Sequence, residues 1–397
     1  MKVSVVIVNY KVPDFVYQCL CSLKKALADF NHEIFVVDNN SNDGSVSFLK
    51  KWFPDVRFIE NDDNIGFSKA NNVALNLALG QYVLILNPDT FVPEDMIVKC
   101  VDFLDNNNDA GALGVKMYSA KGQYAPESKR GIPKPFTAFC KLIGLCKLFP
   151  KNKVFGKYYL GNLDPDKINK VEILSGACMF VRREALLKTG FFDEDYFMYG
   201  EDIDLSYRFL KAGFQNYYFP VKIIHYKGES TQKVSYQYVN NFNKSMIIFF
   251  RKHFNVYSWL LELPILATVY LKAAMGYIKV GLIKAFSFKK KLQENDNARF
   301  LVFSENESEK VSVVSILAKS GYQADVILIN DEIRIHGHNV IDNIGKNYDF
   351  VVYNTKSFQY KQIIDFFTAN DEGEEVQMAL FYPELNKIIT PVKVLDY

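Results

Sequence analysis

The sequence lacks a strong excess of either charge. It contains 47 lysine and arginine residues against 45 aspartate and glutamate residues, which leaves a net charge of only +2. A protein that recruits nucleic acid or anionic lipid through its overall electrostatic field needs a clear excess of basic residues. We therefore expect no nucleic-acid partner, and any anionic ligand must be bound by a local group of residues.

Cysteines are few and scattered. The six cysteines form no Cys-x-x-Cys pair, which argues against both a zinc cluster and a disulfide framework. Cys19 and Cys21 lie two positions apart in a predicted helix and so face different directions. We expect all six to be reduced side chains that pack in the interior.

The first residues lack the features of a signal peptide. The apolar run that begins at Val3 meets the polar Asn9 too early for a signal-peptide core, and no cleavage site follows. We therefore expect the chain to remain in the cytoplasm.

The sequence instead contains short apolar runs separated by helical patterns. Residues 3–8, 34–37 and 83–86 are rich in valine, isoleucine and leucine. Continuous apolar strands separated by helices predict an α/β fold with a mostly parallel, Rossmann-like sheet and helices on both faces. A length of 397 residues with 49% hydrophobic residues favours two such units.

The pattern divides the chain into three parts. Residues 1–254 form the first α/β unit. Residues 255–296 combine apolar and aromatic runs with lysines, which suits either an amphipathic helix at a membrane surface or a helix packed between domains. Residues 297–397 predict a small C-terminal α/β domain in which we recognise no chemical motif. Within the first unit, residues 116–169 lose periodicity and predict an acceptor-side or gating loop.

Polar residues follow several predicted strands. Tyr10, Asp38 and Asp89 each come just after an apolar run, and α/β sheets bind ligands beyond the carboxyl ends of their strands. Asp38 could accept hydrogen bonds from a pyrimidine or a ribose, although aspartate also closes turns for structural reasons. A divalent cation between Asp89 and a diphosphate would neutralise a leaving group.

Two further motifs have a structural alternative. Gly66 permits close backbone approach before a helix whose N-terminus could face phosphates, and the alternative is that Ser68 simply caps this helix. His225 follows another apolar run, and a lone histidine is usually structural. The neighbouring motifs favour it as a ligand of the same metal as Asp89.

The densest acidic cluster lies at residues 201–204. Glu201, Asp202 and Asp204 would repel one another without a cation, an arginine or a proton, and such crowding raises one pKa toward that of a general base. Arg208, one helical turn beyond Asp204, is its expected partner. The alternative is a solvated acidic helix start, which the flanking aromatic residues disfavour.

Taken in order, five motifs resemble those of the family 2 inverting glycosyltransferases, and within that family the bacterial rhamnosyltransferases. The motifs are residues 5–10 (VVIVNY), 37–45 (VDNNSNDGS), 64–67 (NIGF), 87–89 (NPD) and 200–205 (GEDIDL). The resemblance covers about residues 3–250. It implies a GT-A fold, a nucleotide-sugar donor and a single displacement that inverts the anomeric carbon.

The resemblance also implies roles for single residues. Asp202 would deprotonate the acceptor hydroxyl, Glu201 would position the acceptor or the donor sugar, and Asp89 with His225 would bind Mg²⁺ or Mn²⁺. The nucleotide-sugar contacts would come from Val8, Tyr10, Asp38, Asn40, Gly66, Phe67, Asn71 and Asn87. The family commonly has an acid where this chain has Asn87, and the amide weakens the affinity for metal.

We therefore expect a metal-dependent transferase. It would move rhamnose or a related deoxyhexose from dTDP to a lipid-linked oligosaccharide, a cell-surface glycan precursor, as a peripheral protein at the inner face of the cytoplasmic membrane. A nucleotidyltransferase is disfavoured because residues 8–13 lack the glycine of a phosphate-binding loop. The remaining alternative is a non-catalytic scaffold or carbohydrate-binding subunit, which the intact Glu201-Asp202 pair disfavours.

Overall fold

The structure, a computed structural model, describes residues 1–226, 236–254, 298–369, 373 and 375–396. The strands are β1 (Val3–Asn9), β2 (His32–Asp38), β3 (Arg57–Glu60), β4 (Tyr82–Leu86), β5 (Thr90–Phe91), β6 (Ala110–Tyr118), β7 (Asn169–Val171), β8 (Cys178–Arg182), β9 (Gln215–His225), β10 (Arg299–Ser304), β11 (Gln323–Leu328), β12 (Phe350–Asn354), β13 (Gln377–Tyr382), β14 (Lys387–Ile389) and β15 (Val394–Asp396).

The α-helices are α1 (Pro13–Ala26), α2 (Ser45–Trp52), α3 (Phe67–Leu75), α4 (Met96–Asn106), α5 (Pro135–Leu142), α6 (Leu145–Leu148), α7 (Arg183–Thr189), α8 (Glu201–Lys211), α9 (Tyr236–His253), α10 (Glu307–Lys319), α11 (Asp331–His336), α12 (Ile344–Asn347) and α13 (Tyr360–Phe367). The predicted linker at residues 255–296 lies outside the described residues. None of the helices in the described ranges is both long and apolar enough to cross a bilayer.

The first sheet has the strand order β3-β2-β1-β4-β8-β6-β9-β5, and β7 also pairs with β9. The neighbours from β3 to β4 run parallel, as do β6 and β9, whereas β8 runs antiparallel between β4 and β6. Helices cover both faces. The predicted α/β fold class is confirmed.

The burial of β1 on both faces explains why most of its residues are apolar. Val3, Val5 and Ile7 belong to the apolar cluster under α1 and α4, whereas Val6 and Val8 belong to the cluster under α3 and α8. Successive side chains of a strand point to opposite faces, so a strand covered on both sides is apolar at most positions. The two polar residues of β1, Ser4 and Asn9, are buried as well, and their side chains donate to Glu33 and Asp38, each at 2.6 Å.

The predicted irregular insertion starts at residue 119 and not at residue 116, because β6 continues to Tyr118. The sequence did not predict this extension, because Lys116 is a charged residue inside the strand. The Lys116 side chain is only 2% exposed, and its Nζ forms an ion pair with Asp166 at 2.8 Å. It also lies over the rings of Tyr118 and Tyr124. A lysine can therefore occupy an interior strand position here.

The second sheet has the order β11-β10-β12-β13-β14-β15. The first four strands are parallel, and β14 and β15 are added antiparallel at one edge. The smaller α/β unit predicted from the apolar runs is present. Its last three strands were not predicted.

The two sheets share one apolar cluster, which contains residues from β1 and α1 as well as from β12 and β13. At this contact the rings of Tyr17 and Tyr382 lie 5.5 Å apart, and the Tyr17 hydroxyl donates to Glu384 at 2.9 Å. Lys387 also forms an ion pair with Asp14 at 2.8 Å.

A carboxylate of the first unit caps a helix of the second. The two oxygens of Glu94 accept the backbone N–H groups of Tyr360 and Lys361, each at 2.9 Å, at the start of α13. Helix N-termini carry unpaired N–H groups and partial positive charge, which a carboxylate stabilises. The ring of Phe91 packs 5.6 Å from that of Tyr360. The small domain is therefore fixed to the segment that follows β4.

All six cysteines are free, as expected. Five are buried and Cys21 is partly exposed.

We expect Gly122→Ala to lower stability by about 2–3 kcal/mol. Gly122 has a φ of +70°, and a Cβ there would lie 1.7 Å from the Phe367 carbonyl oxygen at the end of α13. The matched control is Gly321→Ala, because Gly321 has a φ of +79° but no neighbour within 4 Å of its Cβ position. Thermal unfolding should show a clearly larger loss for Gly122→Ala. Equal losses would show that the packing of α13 on this turn contributes nothing.

Candidate active site

The carboxyl ends of three neighbouring strands form one edge of the first sheet. On one side of β1, Asn9 lies opposite Asp38 of β2; on the other, Ile7 lies opposite Leu86 of β4. Neighbouring strands are about 5 Å apart. Asp38 and the residue after β4, Asn87, therefore lie on the same edge, separated by two strand spacings.

Asp38 lies in a network of short polar contacts at this edge. Its Oδ1 accepts hydrogen bonds from Asn9 Nδ2 and Ser41 Oγ, both at 2.6 Å, and its Oδ2 accepts from the Ser41 backbone N–H at 2.9 Å. The structural role that the sequence left open for Asp38 is thus present. A carboxylate oxygen has two lone pairs, so Oδ2 can accept one further hydrogen bond from a ligand.

A polar pocket of about 210 Å³ opens beside Asp38. It is lined by the turn after β2, the start of α2 and the end of β3, and includes Asn40, Asp43 and Glu60. Ligand pockets usually exceed about 300 Å³. The pocket can therefore accept a part of a nucleotide sugar, such as the base or the ribose.

Asn39 ties the next loop to this edge, because its Nδ2 donates to Asn64 Oδ1 at 2.8 Å. The loop then reaches the segment before α8, where the Phe67 N–H donates to the Phe197 carbonyl at 2.7 Å. Gly66 has a φ of +85°, and a Cβ there would lie 2.6 Å from that carbonyl oxygen. A side chain at this position would separate the two segments.

Asp202 lies in the first turn of α8 and is held by two other segments. Arg130 Nη2 lies 2.5 Å from Asp202 Oδ2, and the Gly176 N–H donates to the same oxygen at 3.0 Å. The two charged side chains are only 10% and 13% exposed. Arg130 also donates to the Leu174 carbonyl. Charge-assisted hydrogen bonds in a poorly hydrated place are strong, so the Asp202 carboxylate has a fixed orientation.

The same segment connects Asp202 to the strand edge. The Asn87 N–H donates to the Ala177 carbonyl at 2.9 Å, one residue beyond the Gly176 N–H that contacts Asp202. The acidic start of α8 is therefore a neighbour of the carboxyl end of β4. The structure brings the 200–205 and 87–89 motifs together.

Asp89 and His225 also meet, as predicted. β5 pairs with β9 so that Thr90 lies opposite His225, and the Tyr226 N–H donates to the Asp89 carbonyl at 2.9 Å. His225 Nε2 then lies 3.3 Å from Asp89 Oδ1. The Asp89 side chain is 1% exposed.

A carboxylate and an imidazole can bind a divalent cation together. In the part of the chain that the structure describes, no three histidine, cysteine, aspartate or glutamate side chains are gathered into a metal cluster. Asp89 and His225 therefore fit Mg²⁺ or Mn²⁺ only as a partial set of ligands, which diphosphate oxygens would complete. Mg²⁺ is commonly bound in this way at phosphate sites.

Glu201 is buried next to Asp202. Burial raises the pKa of Glu201, and the negative charge of Asp202 raises it further. Its Oε2 accepts no hydrogen bond from the described residues. The crowding recognised in the sequence thus acts on Glu201, whose carboxyl group retains its proton to a higher pH than an ordinary glutamate and can donate a hydrogen bond.

Asp204 has a structural role. Arg208 Nε donates to its Oδ2 at 2.7 Å, which confirms the partner predicted from helical spacing, and His253 Nε2 lies 2.7 Å from its Oδ1. Burial alone would raise the pKa of Asp204, but the contacts with His253 and Arg208 outweigh it and lower the pKa. Asp204 therefore binds α9 to α8 and is not available to a substrate.

Several residues of the predicted motifs have contacts within the fold. The Val8 side chain packs in the core, so only its backbone can face a ligand. Asn71 is buried and donates to the backbone carbonyl four residues earlier. Ser68 does not cap α3, because the N-cap residue is Gly66 and no side-chain cap is present. Tyr10, in contrast, is 37% exposed at the end of β1.

Three contacts of the site were not predicted. Arg130 occurs among lysines in the irregular insertion, Gly176 follows no recognisable motif, and His253 is 49 residues from its partner. The cluster of acids at residues 201–204 indicated that a positive partner must exist. The cluster could not indicate which of the many lysine, arginine and histidine side chains is that partner.

Comparison with known proteins identifies the family. The family model described as Glycosyl transferase family 2 matches residues 4–190, and that of Glycosyl transferase family group 2 matches residues 154–289. The chain is 31% identical to the N-acetylglucosaminyl-diphospho-decaprenol L-rhamnosyltransferase of Mycobacterium tuberculosis over 258 residues, which are 62% of this chain and 82% of that enzyme. The chain belongs to glycosyltransferase family 2.

The chain is also similar to two other transferases. It is 26% identical to the rhamnosyltransferase WbbL of Escherichia coli over 235 residues, which are 56% of this chain and 83% of WbbL. A mannosyltransferase of Pyrobaculum calidifontis, solved with GDP-Man and Mn²⁺, is 19% identical with a TM-score of 0.43. That match covers 74% of this chain and 81% of the mannosyltransferase. The family to which the chain belongs supports a function in glycosyl transfer.

We expect Glu201→Gln to change how stability depends on pH. The folded protein keeps the Glu201 proton at pH values where the unfolded chain has lost it, because the folded pKa is raised. The wild type therefore loses stability as pH rises from about 4.3, the ordinary pKa of glutamate, through the raised value. The difference between the melting temperatures of Glu201→Gln and wild type should therefore become more positive as pH rises through this interval. Glu332→Gln, on an exposed helix of the small domain, is the control, and a pH-independent difference for Glu201→Gln would contradict the expectation.

Proposed function

We propose that the chain transfers rhamnose or a related deoxyhexose from a nucleotide diphosphate carrier, with dTDP as first candidate, to a hydroxyl of a lipid-linked glycan precursor at the cytoplasmic face of the membrane. The names of two relatives support the sugar, and that of the mycobacterial relative supports a lipid-linked acceptor. The observation that carries the proposal is Asp202, fixed by Arg130 and Gly176 beside the strand edge on which Asp38 lies.

In this proposal Asp202 is the general base. Its carboxylate accepts the proton of the acceptor hydroxyl while that oxygen forms a bond to the anomeric carbon. The bond from this carbon to the diphosphate oxygen breaks, and its electron pair leaves with the diphosphate. A single displacement of this kind inverts the anomeric carbon. Arg130 keeps the carboxylate oriented before the proton is transferred.

Glu201 would act as a hydrogen-bond donor. Burial and the adjacent charge of Asp202 raise the pKa of Glu201, so its carboxyl group is suited to orient a sugar hydroxyl in its protonated form. Asp38 would accept a hydrogen bond from the base or ribose through Oδ2, next to the pocket that Asn40 lines. Tyr10 is exposed beside them.

Asp89 and His225 would hold Mg²⁺ or Mn²⁺ together with the diphosphate. When bound, the cation would neutralise part of the charge that develops on the leaving group. Asn87, which replaces the acid common in the family, donates its backbone N–H to Ala177 and so helps to position the loop before Asp89.

We expect Asp202→Asn to lower turnover by about 10²–10⁴-fold, because an amide cannot accept the hydroxyl proton. Turnover should be measured with a panel of nucleotide sugars, with and without acceptor. Asp195→Asn is the matched control, since Asp195 is an exposed acid of the segment that leads into α8. It should retain wild-type turnover.

Two outcomes would contradict the proposal. Full activity of Asp202→Asn would remove Asp202 as the base. Wild-type protein that binds nucleotide sugar but never releases nucleoside diphosphate would favour a carbohydrate-binding or scaffold subunit.

We expect Asp89→Asn to abolish the metal-dependent part of nucleotide binding. In a thermal-shift experiment with dTDP, added Mn²⁺ should raise the wild-type melting temperature further, because a ligand stabilises the folded state by mass action. The variant should respond to dTDP alone but gain nothing from Mn²⁺. Asp29→Asn, an exposed substitution, serves as the control. An undiminished Mn²⁺ response in Asp89→Asn would exclude Asp89 as a ligand.

A further inference from the structure

Large apolar side chains are exposed along α5, α6 and the turn after them. We call residues 134–154 the α5–α6 patch. The described residues include nineteen large hydrophobic side chains that are exposed, and six of them fall within this short segment. They are Phe136, Phe139, Ile143, Leu148, Phe149 and Val154, which are 47–70% exposed. Large apolar side chains that are exposed together in one short segment indicate an interaction site.

The apolar side chains of α5 share one face. Phe136, Phe139 and Ile143 follow the spacing i, i+3, i+7, which places them within about 60° of each other around a helix. Thr137 and Cys140 of the same helix are buried. The helix therefore already has a packed side, and its phenylalanine side faces outward.

The surroundings of these side chains are strongly basic. Residues 128–163 contain seven lysines and one arginine and no aspartate or glutamate. Lys134, Lys147, Lys151 and Lys153 are exposed within the α5–α6 patch. The whole chain has a net charge of only +2, so this concentration of positive charge is local.

The α5–α6 patch is attached directly to the catalytic end of the sheet. Arg130, the partner of Asp202, lies four residues before its first residue. The Ile132 N–H donates to Glu172 Oε2 at 2.7 Å, and the Gly131 N–H donates to the Tyr158 carbonyl at 3.1 Å. The residues just before the patch are therefore fixed beside the base of the proposed reaction, and Tyr158, just after the patch, is hydrogen-bonded to them.

We infer that the α5–α6 patch docks on the surface of an anionic bilayer, with its apolar side chains in the headgroup region and its lysines on anionic headgroups. Charge complementarity selects this partner. The cores of protein–protein interfaces are depleted in lysine, whereas interfacial membrane segments combine lysine with phenylalanine and leucine. Nucleic acid would match the lysines but not Ile143, Leu148 and Val154.

This inference rests on the proposed function only for its consequence. If the acceptor is lipid-linked, a docked patch would hold Asp202 near the plane in which the acceptor hydroxyl lies. The docking itself can be measured without any transfer reaction.

The test uses the full chain and vesicles of phosphatidylcholine with about one third phosphatidylglycerol, a composition that provides both apolar and electrostatic attraction. We expect co-sedimentation with these vesicles and much less with phosphatidylcholine alone. The combined variant Phe136→Ser, Phe139→Ser and Ile143→Ser should reduce the partition coefficient at least tenfold. The control combines Leu187→Ser and Val311→Ser, two exposed apolar positions outside the patch.

A charge variant tests whether the lysines of the α5–α6 patch bind anionic headgroups. Lys147→Glu combined with Lys151→Glu and Lys153→Glu should remove the preference for anionic vesicles. Lys50→Glu combined with Lys346→Glu, outside the patch, should keep it. Unchanged vesicle binding by both patch variants, or no binding by wild type, would overturn the inference.

Two measurements distinguish loss of docking from misfolding and from loss of the transfer reaction. Phe139→Trp keeps an aromatic side chain, and its emission should shift to the blue on adding anionic vesicles; an unchanged spectrum contradicts docking even if the serine variant misfolds. Turnover on a short water-soluble acceptor should be equal in wild type and in the control variant Leu187→Ser, Val311→Ser. Failure of the proposed transfer would abolish this turnover in both proteins and leave vesicle binding unaffected.

Discussion

The buried ion pair between Arg130 and Asp202 is the constraint on which the site depends. Two charges with little access to water are tolerated only if each is paired and hydrogen-bonded, and here Gly176 supplies the further donor. The pair also joins three segments that are far apart in sequence: the insertion after β6, the approach to β8 and the start of α8. The position of the Asp202 carboxylate is thus determined by tertiary contacts. The contact of Asp204 with His253 also binds α8 to α9.

The parts of the fold that sequence could predict are those in which local pattern and tertiary environment agree. β1 is buried on both faces, so its largely apolar sequence indicates both its conformation and its place inside the sheet. Residues just after β1, β2 and β4 were correctly expected at one edge, because parallel strands align their ends. Lys116 shows the limit, because a lysine inside this strand is stabilised by contacts with Asp166 and two tyrosine rings, which no local pattern contains.

In the site, too, the contacts set by local geometry could be predicted from the sequence, whereas those set by the tertiary fold could not. The i, i+4 spacing predicted the contact between Asp204 and Arg208, since helical geometry alone brings them together. The choice of Arg130 for Asp202 follows from how the insertion packs, which depends on the whole fold. Asn71 shows what the motif alone does not contain, because its Nδ2 donates to the carbonyl of Phe67 within its own helix turn, and its contact with the nucleotide sugar stays a prediction.

The cap that Glu94 places on α13 has a consequence for how the chain can be divided. The loop from Asp89 to Glu94 is bounded by β9 at one end and by the small domain at the other. Cutting the chain after residue 254 would leave the Glu94 carboxylate without its two N–H donors and uncover the aromatic face around Phe91 and Tyr17. The second sheet thus supports the loop that follows β4 of the first sheet, and its removal would expose these contacts to water.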